Sequence, residues 1–284
     1  MKNFVRKIFR IRPLEKILVL LLKIFPDSYL LKGLTSQNNY YPSNSIRNCE
    51  RYGIKYSLDI SDYQNWLLYF YCKTDSSFGV LKYVKEDFVV FDIGGNIGQT
   101  AMMMAKEVGS KGYIYSFEPY PDTVQNFKQN LSLNPSLSKK IQIENCALGS
   151  SPGKVNMHKD CATNSGANRI VYEQSSMVSE WIEVPVSTVD LFVKNNQLNK
   201  IDLIKIDVEG FEMHVLKGTY KTLMEFKPVL FIELDDNNLK KQGSSAVELY
   251  EFLKSMDYRI YEEGKTETFN LATVSLPVNI YCTI

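Results

Sequence analysis

Histidine is almost missing from this chain: among 284 residues only His158 and His214 occur. The five cysteines (Cys49, Cys72, Cys146, Cys161, Cys282) are scattered and odd in number, and no two stand in C-x-x-C spacing. So few imidazoles and thiols fit neither a structural zinc site nor a disulfide scaffold, and a reducing cytoplasm is the natural compartment. No apolar run reaches the roughly 18–20 residues of a membrane-spanning helix. Internal repeats and low-complexity tracts are lacking too. The formal net charge is +1, which gives no electrostatic footprint for nucleic acid. What the chain does have is material for a core. Its residues are 44% hydrophobic and 12% aromatic, which rules out wholesale disorder and suits one large domain or two smaller ones.

The near-neutral balance hides an asymmetry. Residues 1–25 hold seven bases (Lys2, Arg6, Lys7, Arg10, Arg12, Lys16, Lys23) against one acid, Glu15, leaving 26 bases and 31 acids elsewhere. Behind this basic leader runs Ile17-Leu18-Val19-Leu20-Leu21-Leu22. A signal peptide is a poor match, because Lys23 interrupts the run and no small-residue cleavage site follows. One reading is a basic helix over residues 1–27 in peripheral contact with an anionic membrane, at its inner face. The other is a helix docking Leu18, Leu22 and Phe25 onto the main domain. The second is preferred, since the run shows almost no polar face.

Residues 1–80 read as a basic, mainly helical extension, with a weakly alternating stretch from Tyr52 to Leu58 that can form a short strand. Ser61-Asp62 can cap a helix through Trp66, Leu67, Phe70 and Tyr71. That aromatic helix is a packing layer first, with a substrate lid as the lesser alternative.

Residues 81–284 form the second part. Strand candidates at 88–93, 112–118, 141–147, 201–207 and 228–234 alternate with helix candidates at 97–108, 121–133, 188–196, 211–225 and 244–256. Two last strands lie near 257–263 and 277–283. Alternation of this kind predicts a doubly wound, Rossmann-like α/β sheet, mostly parallel, and the last two strands pair as an antiparallel edge hairpin.

In such sheets ligands bind outside the carboxyl ends of the strands. The first tip carries Asp92, Gly94, Gly95, Asn96 and Gly98, and the second carries Glu118, 20 residues after Gly98. The third carries Asn145 and Ala147, and the fourth carries Lys205, Asp207 and Glu209. A glycine turn alone is a weak signal, but a carboxylate at the next tip adds a grip for ribose hydroxyls. The acid directly ahead of the glycines repels a pyrophosphate and suits a cationic ligand part. S-adenosylmethionine, with its sulfonium and amino group, meets that demand. Asp92 then faces its amino-acid end and Glu118 its ribose.

The segments VFDIGGNIGQT, FEPYPDTVQNFKQN, IENCALGS and STVDLFVKNNQLNKIDLIKIDVEGFEMHVLKG resemble the FkbM-type S-adenosylmethionine-dependent methyltransferases. The resemblance runs from about Tyr83 to Leu234. It implies a class I methyltransferase fold and methyl transfer to a hydroxyl of a sugar, glycan or related metabolite. It implies cofactor contacts at Asp92, Gly94, Gly95, Asn96, Gly98 and Glu118, with Asn145 and Ala147 near the adenine. Gly95 stands where the family more often has alanine.

For a hydroxyl acceptor the site must align two atoms and remove a proton. Asp207 and Glu209 are the best placed acids; Glu209 can serve as base and Asp207 as a hold on the donor's amino group or the acceptor. Alternatively, Glu209 complements the following helix N-terminus. His214 is the second candidate base, although a lone helical histidine is more often a packing residue, and His158 stands similarly. A divalent metal on Asp207, Glu209 and Glu233 is compatible with this set of oxygens but not required by its spacing. The polar stretch 159–180, with Asn164, Ser165, Asn168 and Arg169, reads as an acceptor-binding loop or a solvated insertion. Rival readings are methylation at nitrogen or carboxylate, and a non-catalytic S-adenosylmethionine-binding protein. Residues 28–284 are acidic overall, so no nucleic-acid partner is expected.

Overall fold

A computed structural model describes residues 2–71, 76–158, 169–170 and 181–284. Chain contacts divide them into two compact units that part at Asp75–Ser76, slightly ahead of the break expected at residue 80. The shift has a cause in the second unit. The 3-10 segment Ser76–Tyr83 ends in a tyrosine ring stacked 4.3 Å from Tyr281 and 6.2 Å from Phe231, both on the large sheet.

The first unit is not mainly helical throughout. Strands β1 (Ile46–Arg51) and β2 (Ile54–Asp59) form an antiparallel hairpin. Tyr52 and Gly53 both have positive φ, 54° and 72°, as the two-residue turn matching the twist of paired strands requires. The helix Tyr63–Tyr71 starts where expected, with the Asp62 carboxylate accepting from Asn65 N at 3.1 Å. Trp66 and Phe70 are buried. The basic helix Arg12–Ile24 packs against Tyr63–Tyr71 within this unit through Leu18, Val19 and Leu22. Phe25 departs from expectation and is 57% exposed, because the helix ends before it and its ring falls off the buried stripe.

In the second unit seven of the described strands form one sheet: β3 (Val89–Ile93), β4 (Tyr113–Phe117), β5 (Ile141–Glu144), β10 (Leu203–Ile206), β11 (Val229–Leu234), β12 (Arg259–Glu262) and β13 (Val278–Thr283). Their order is β12-β13-β11-β10-β3-β4-β5. Pairs from β5 to β11 are parallel, and β13 runs antiparallel to both neighbours. The strands are apolar because helices cover both faces; Val90, Phe91, Ile114, Leu203, Ile204 and Ile206 are fully buried. Phe91, Phe117 and Phe192 pack their rings 4.9–5.6 Å apart, which seats the helix Val189–Asn195 on one face.

The expected strand 141–147 is broken. It leaves the large sheet after Glu144, and Ala147–Leu148 become β6 of a second, four-stranded sheet with β7 (Gly153–His158), β8 (Arg169–Ile170) and β9 (Trp181–Ser187), in the order β6-β9-β7-β8. The helix expected over 211–225 is two, Glu212–Lys217 and Tyr220–Phe226. Gly218 lies so close to the Gly149 carbonyl that a Cβ there would sit 1.9 Å from it.

Candidate active site

The chain order reverses at β3, which has β4 on one side and β10 on the other. That switch point is where an open α/β sheet leaves a crevice for ligand. Parallel register places Ser116 of β4, Asp92 of β3 and Lys205 of β10 in one row. All three are buried. Ser116 Oγ donates to Asp92 Oδ2 at 2.9 Å, and Lys205 Nζ lies 3.4 Å from Asp92 Oδ1. The same ammonium donates to the Gly94 carbonyl at 3.2 Å and lies 3.3 Å from Asp207 Oδ2. One lysine thus joins the tips of β3 and β10. Burial pushes the Asp92 carboxyl up, and the Lys205 charge and the Ser116 hydroxyl offset part of that.

Asp92 was expected to face the donor's cationic end. It is instead 0% exposed and lies beneath Gly95, whose Cβ would come within 3.5 Å of Oδ2. A carboxylate committed to Ser116 and Lys205 reaches the crevice only through the turn above it.

The turn itself is shaped by its glycines. Gly94 has φ +89°, and a Cβ there would sit 1.9 Å from the Asp207 carbonyl oxygen. The β3 and β10 tips therefore touch, and only glycine permits it. Gly94 N and Gly95 N both donate to the Phe117 carbonyl at 3.0 Å. Gly98 opens the helix Gln99–Glu107 at φ +85°, against the Phe127 ring. Asn96 is left-handed at φ +46°, and its buried Oδ1 has no hydrogen-bond partner among the described residues.

Glu118 closes the turn from the second tip. Its carboxylate accepts from Asn96 N and Tyr120 N, both at 2.9 Å. Burial pushes its pKa up to about 7 against the pull of those two amides. Each oxygen keeps a free lone pair for a hydroxyl. Asn145 is exposed and donates through Nδ2 to the Glu118 and Pro119 carbonyls at 3.0 and 2.9 Å. It shapes the third tip, whereas Ala147 is buried in the second sheet.

Beyond β10 the acids gather. Glu209 has φ +53° and accepts from Asn238 Nδ2 at 3.0 Å. Glu212 Oε1 accepts from Val208 N and Gly210 N at 3.1 Å, pinning the turn that carries Asp207 and Glu209; burial pushes its pKa up to about 7. Glu233, on β11, is hydrogen-bonded to Asp207. Burial first, then the charges of Asp207 and Glu209, pushes it up to about 9. Among the described residues, no group of three or more acids, histidines or cysteines is arranged to hold a metal ion.

His214 stands apart. Its ring stacks on Phe211 at 4.4 Å, and Nε2 lies 3.2 Å from the Gln242 carbonyl oxygen. Most of the stretch 159–180, including Asn164, Ser165 and Asn168, lies outside the described residues, as does the His158 side chain; Arg169 is described only as part of β8. Ser116 and Glu212 were not among the expected site residues, and Lys205 was placed at its strand tip without a role. A lysine between Ile204 and Ile206 in an apolar strand was the available signal, because a buried ammonium must meet a carboxylate.

The fold and this crevice have the Rossmann-like architecture of class I methyltransferases. The chain belongs to the FkbM methyltransferase domain family, whose model matches residues 92–260. Among characterised relatives it is similar to the hexuronic acid methyltransferase AglP of Haloferax volcanii, 27% identical over 151 residues that cover 53% of this chain and 58% of that one. The chain thus spans less than two thirds of that relative. It is also similar to the 2-O-methyltransferase NoeI of Sinorhizobium fredii, 23% identical over 55% of this chain and 66% of that one. Among solved structures, an FkbM methyltransferase from Methylobacillus flagellatus aligns with 19% identity and a TM-score of 0.47, covering 69% of this chain and 44% of that one.

Proposed function

We propose that this chain transfers a methyl group from S-adenosylmethionine to a hydroxyl of a sugar, glycan or related small metabolite. One observation carries the reading: Gly94 packs on the Asp207 carbonyl, so the donor-binding turn and the acids after β10 border the same crevice. The residues suit this donor. Among the described residues the crevice holds Asp207, Glu209 and Glu118 beside one buried ammonium, Lys205, and that balance favours a cation over a phosphate. Glu118 offers lone pairs to a ribose diol, and Asn96 Oδ1 offers an acceptor that no described residue meets.

When bound, the donor supplies an electrophilic methyl on a sulfonium. The protein's part is alignment and proton removal. Asp207, held by Lys205 Nζ at 3.3 Å, orients the acceptor hydroxyl or the donor's amino group. Glu209 takes the hydroxyl proton as the new C–O bond forms and the C–S bond breaks, leaving a neutral thioether. Its left-handed backbone and the Asn238 contact fix its direction. The names of two relatives, a hexuronic acid methyltransferase and a 2-O-methyltransferase, support a hydroxyl of a sugar as acceptor.

Transfer of labelled methyl to a panel of hexuronic acids, neutral saccharides and envelope extracts tests this. Labelled saccharide with an alkali-stable ether is the expected product. Label found only as an alkali-labile ester or on nitrogen would replace the proposal.

A further inference from the structure

The helix Arg12–Ile24 has two apolar faces, and the first unit covers one of them. Leu18, Val19 and Leu22 are buried, and so is Glu15, the helix's only acid. The Glu15 carboxylate is gripped by Arg47 through Nε at 2.5 Å and Nη2 at 3.2 Å. The second face consists of Ile17, Leu20 and Ile24. Spacings of three and four place them on one side of the helix, opposite the buried stripe. Each is more than half exposed, and so are Phe25, Tyr29 and Leu30 just beyond the helix. Arg12, Lys16 and Lys23 are all exposed, share one flank of that stripe, and form no ion pair among the described residues. The polar face that the sequence appeared to lack is this flank.

We propose that this face docks on an anionic lipid surface. Ile17, Leu20 and Ile24 enter the boundary between headgroups and acyl chains, while Arg12, Lys16 and Lys23 lie over anionic headgroups. Charge complementarity decides the occupant. Two-fold pairing with a second copy would set two basic flanks against each other. A soluble polyanion would leave the apolar stripe in water. Glu15 would oppose an anionic surface if it faced outward, and it is turned inward and neutralised. The proposal is independent of the chemistry in the crevice.

The test is co-sedimentation of the full chain with vesicles of phosphatidylcholine alone and of phosphatidylcholine mixed with phosphatidylglycerol. Pelleting is expected with the mixed vesicles only, with release near 1 M salt, where the screening length falls to about 3 Å. Lys16→Glu with Lys23→Glu should weaken partitioning by about five-fold or more per side chain. Leu20→Ser with Ile24→Ser should abolish pelleting even at low salt. No pelleting with anionic vesicles, or equal pelleting with neutral ones, overturns the proposal. A dimer seen by light scattering and removed by the serine pair overturns it as well. If the serine pair lowers the melting temperature, the two lysine reversals, which lie on exposed positions, decide the matter.

Discussion

Lys205 Nζ lies 3.4 Å from Asp92 Oδ1 and 3.3 Å from Asp207 Oδ2, joining two strand tips through one buried ammonium. Removing that charge leaves two carboxylates facing each other with little solvent. Lys205→Met keeps the volume of the side chain and deletes the charge. It should cost about 3–5 kcal/mol of stability, the usual penalty for breaking a buried pair on one side. Urea denaturation checks it, and a loss below about 0.5 kcal/mol would show that the ammonium is dispensable.

The Gly95 position can be read the same way. An alanine Cβ there would meet Ser116 Oγ at 2.2 Å. Gly95→Ala alone should therefore cost about 1–3 kcal/mol through overpacking. Combining it with Ser116→Ala removes the obstructing atom, so the two costs should couple by about 1 kcal/mol or more. A double-mutant cycle that closes additively would separate the two residues. Alanine fits at this position once the neighbouring Ser116 hydroxyl has moved or gone.

On the proposed function, donor binding depends on the turn and its clasp. Gly94→Val drives a side chain into the Asp207 carbonyl, and Glu118→Ala leaves Asn96 N and Tyr120 N without their acceptor. Each should weaken S-adenosylmethionine binding by roughly tenfold or more, since a lost hydrogen bond to a charged group is worth about 1.5–3 kcal/mol. Calorimetric titration reads this directly. Unchanged affinity in both variants would move the donor elsewhere.

The two base candidates separate in kinetics. Glu209→Gln should hold donor affinity within about twofold while kcat falls by about 10²–10⁴. His214→Phe keeps the stack on Phe211 and should leave kcat unchanged. The opposite pattern would transfer the role to His214.

Stability should fall as pH rises. Glu118 and Glu212 are raised from 4.5 to about 7, and Glu233 to about 9. Each raised carboxyl keeps a proton that the unfolded chain has already lost. Between the unfolded and folded values the native state binds more protons, so rising pH favours unfolding. The melting temperature should decline from about pH 5 to about pH 9, and Glu233→Gln should flatten the upper part of that decline. A slope between pH 7 and 9 that Glu233→Gln leaves untouched would remove Glu233 from the account.

The large sheet was legible because its strands are short apolar runs between periodic helices, and the C-terminal strands end it antiparallel as read. What escaped was decided by contacts distant in sequence. Nothing local in IENCAL shows that Asn145 will turn aside to the Glu118 and Pro119 carbonyls and end a strand there. The second sheet was missed because β7 and β9 are only half covered, with Val184 and Val186 inward and Glu183 and Pro185 outward. In the site, the acids and glycines could be placed from strand tips alone. The burial of Asp92 could not, since it depends on which residue of β10 stands beside it.

That dependence gives the row Ser116–Asp92–Lys205 a second consequence. Side chains alternate between the faces of a sheet, so a slip of β10 by one residue turns Lys205 to the other face. Asp92 would then be buried without its counter-charge, and Lys205 would be stranded among apolar side chains, each a severe penalty. Only one alignment of β3 and β10 satisfies both groups. The charges that shape the crevice thus also act as a proofreading device for strand assembly, so a chain that has paired these strands correctly has already built the crevice.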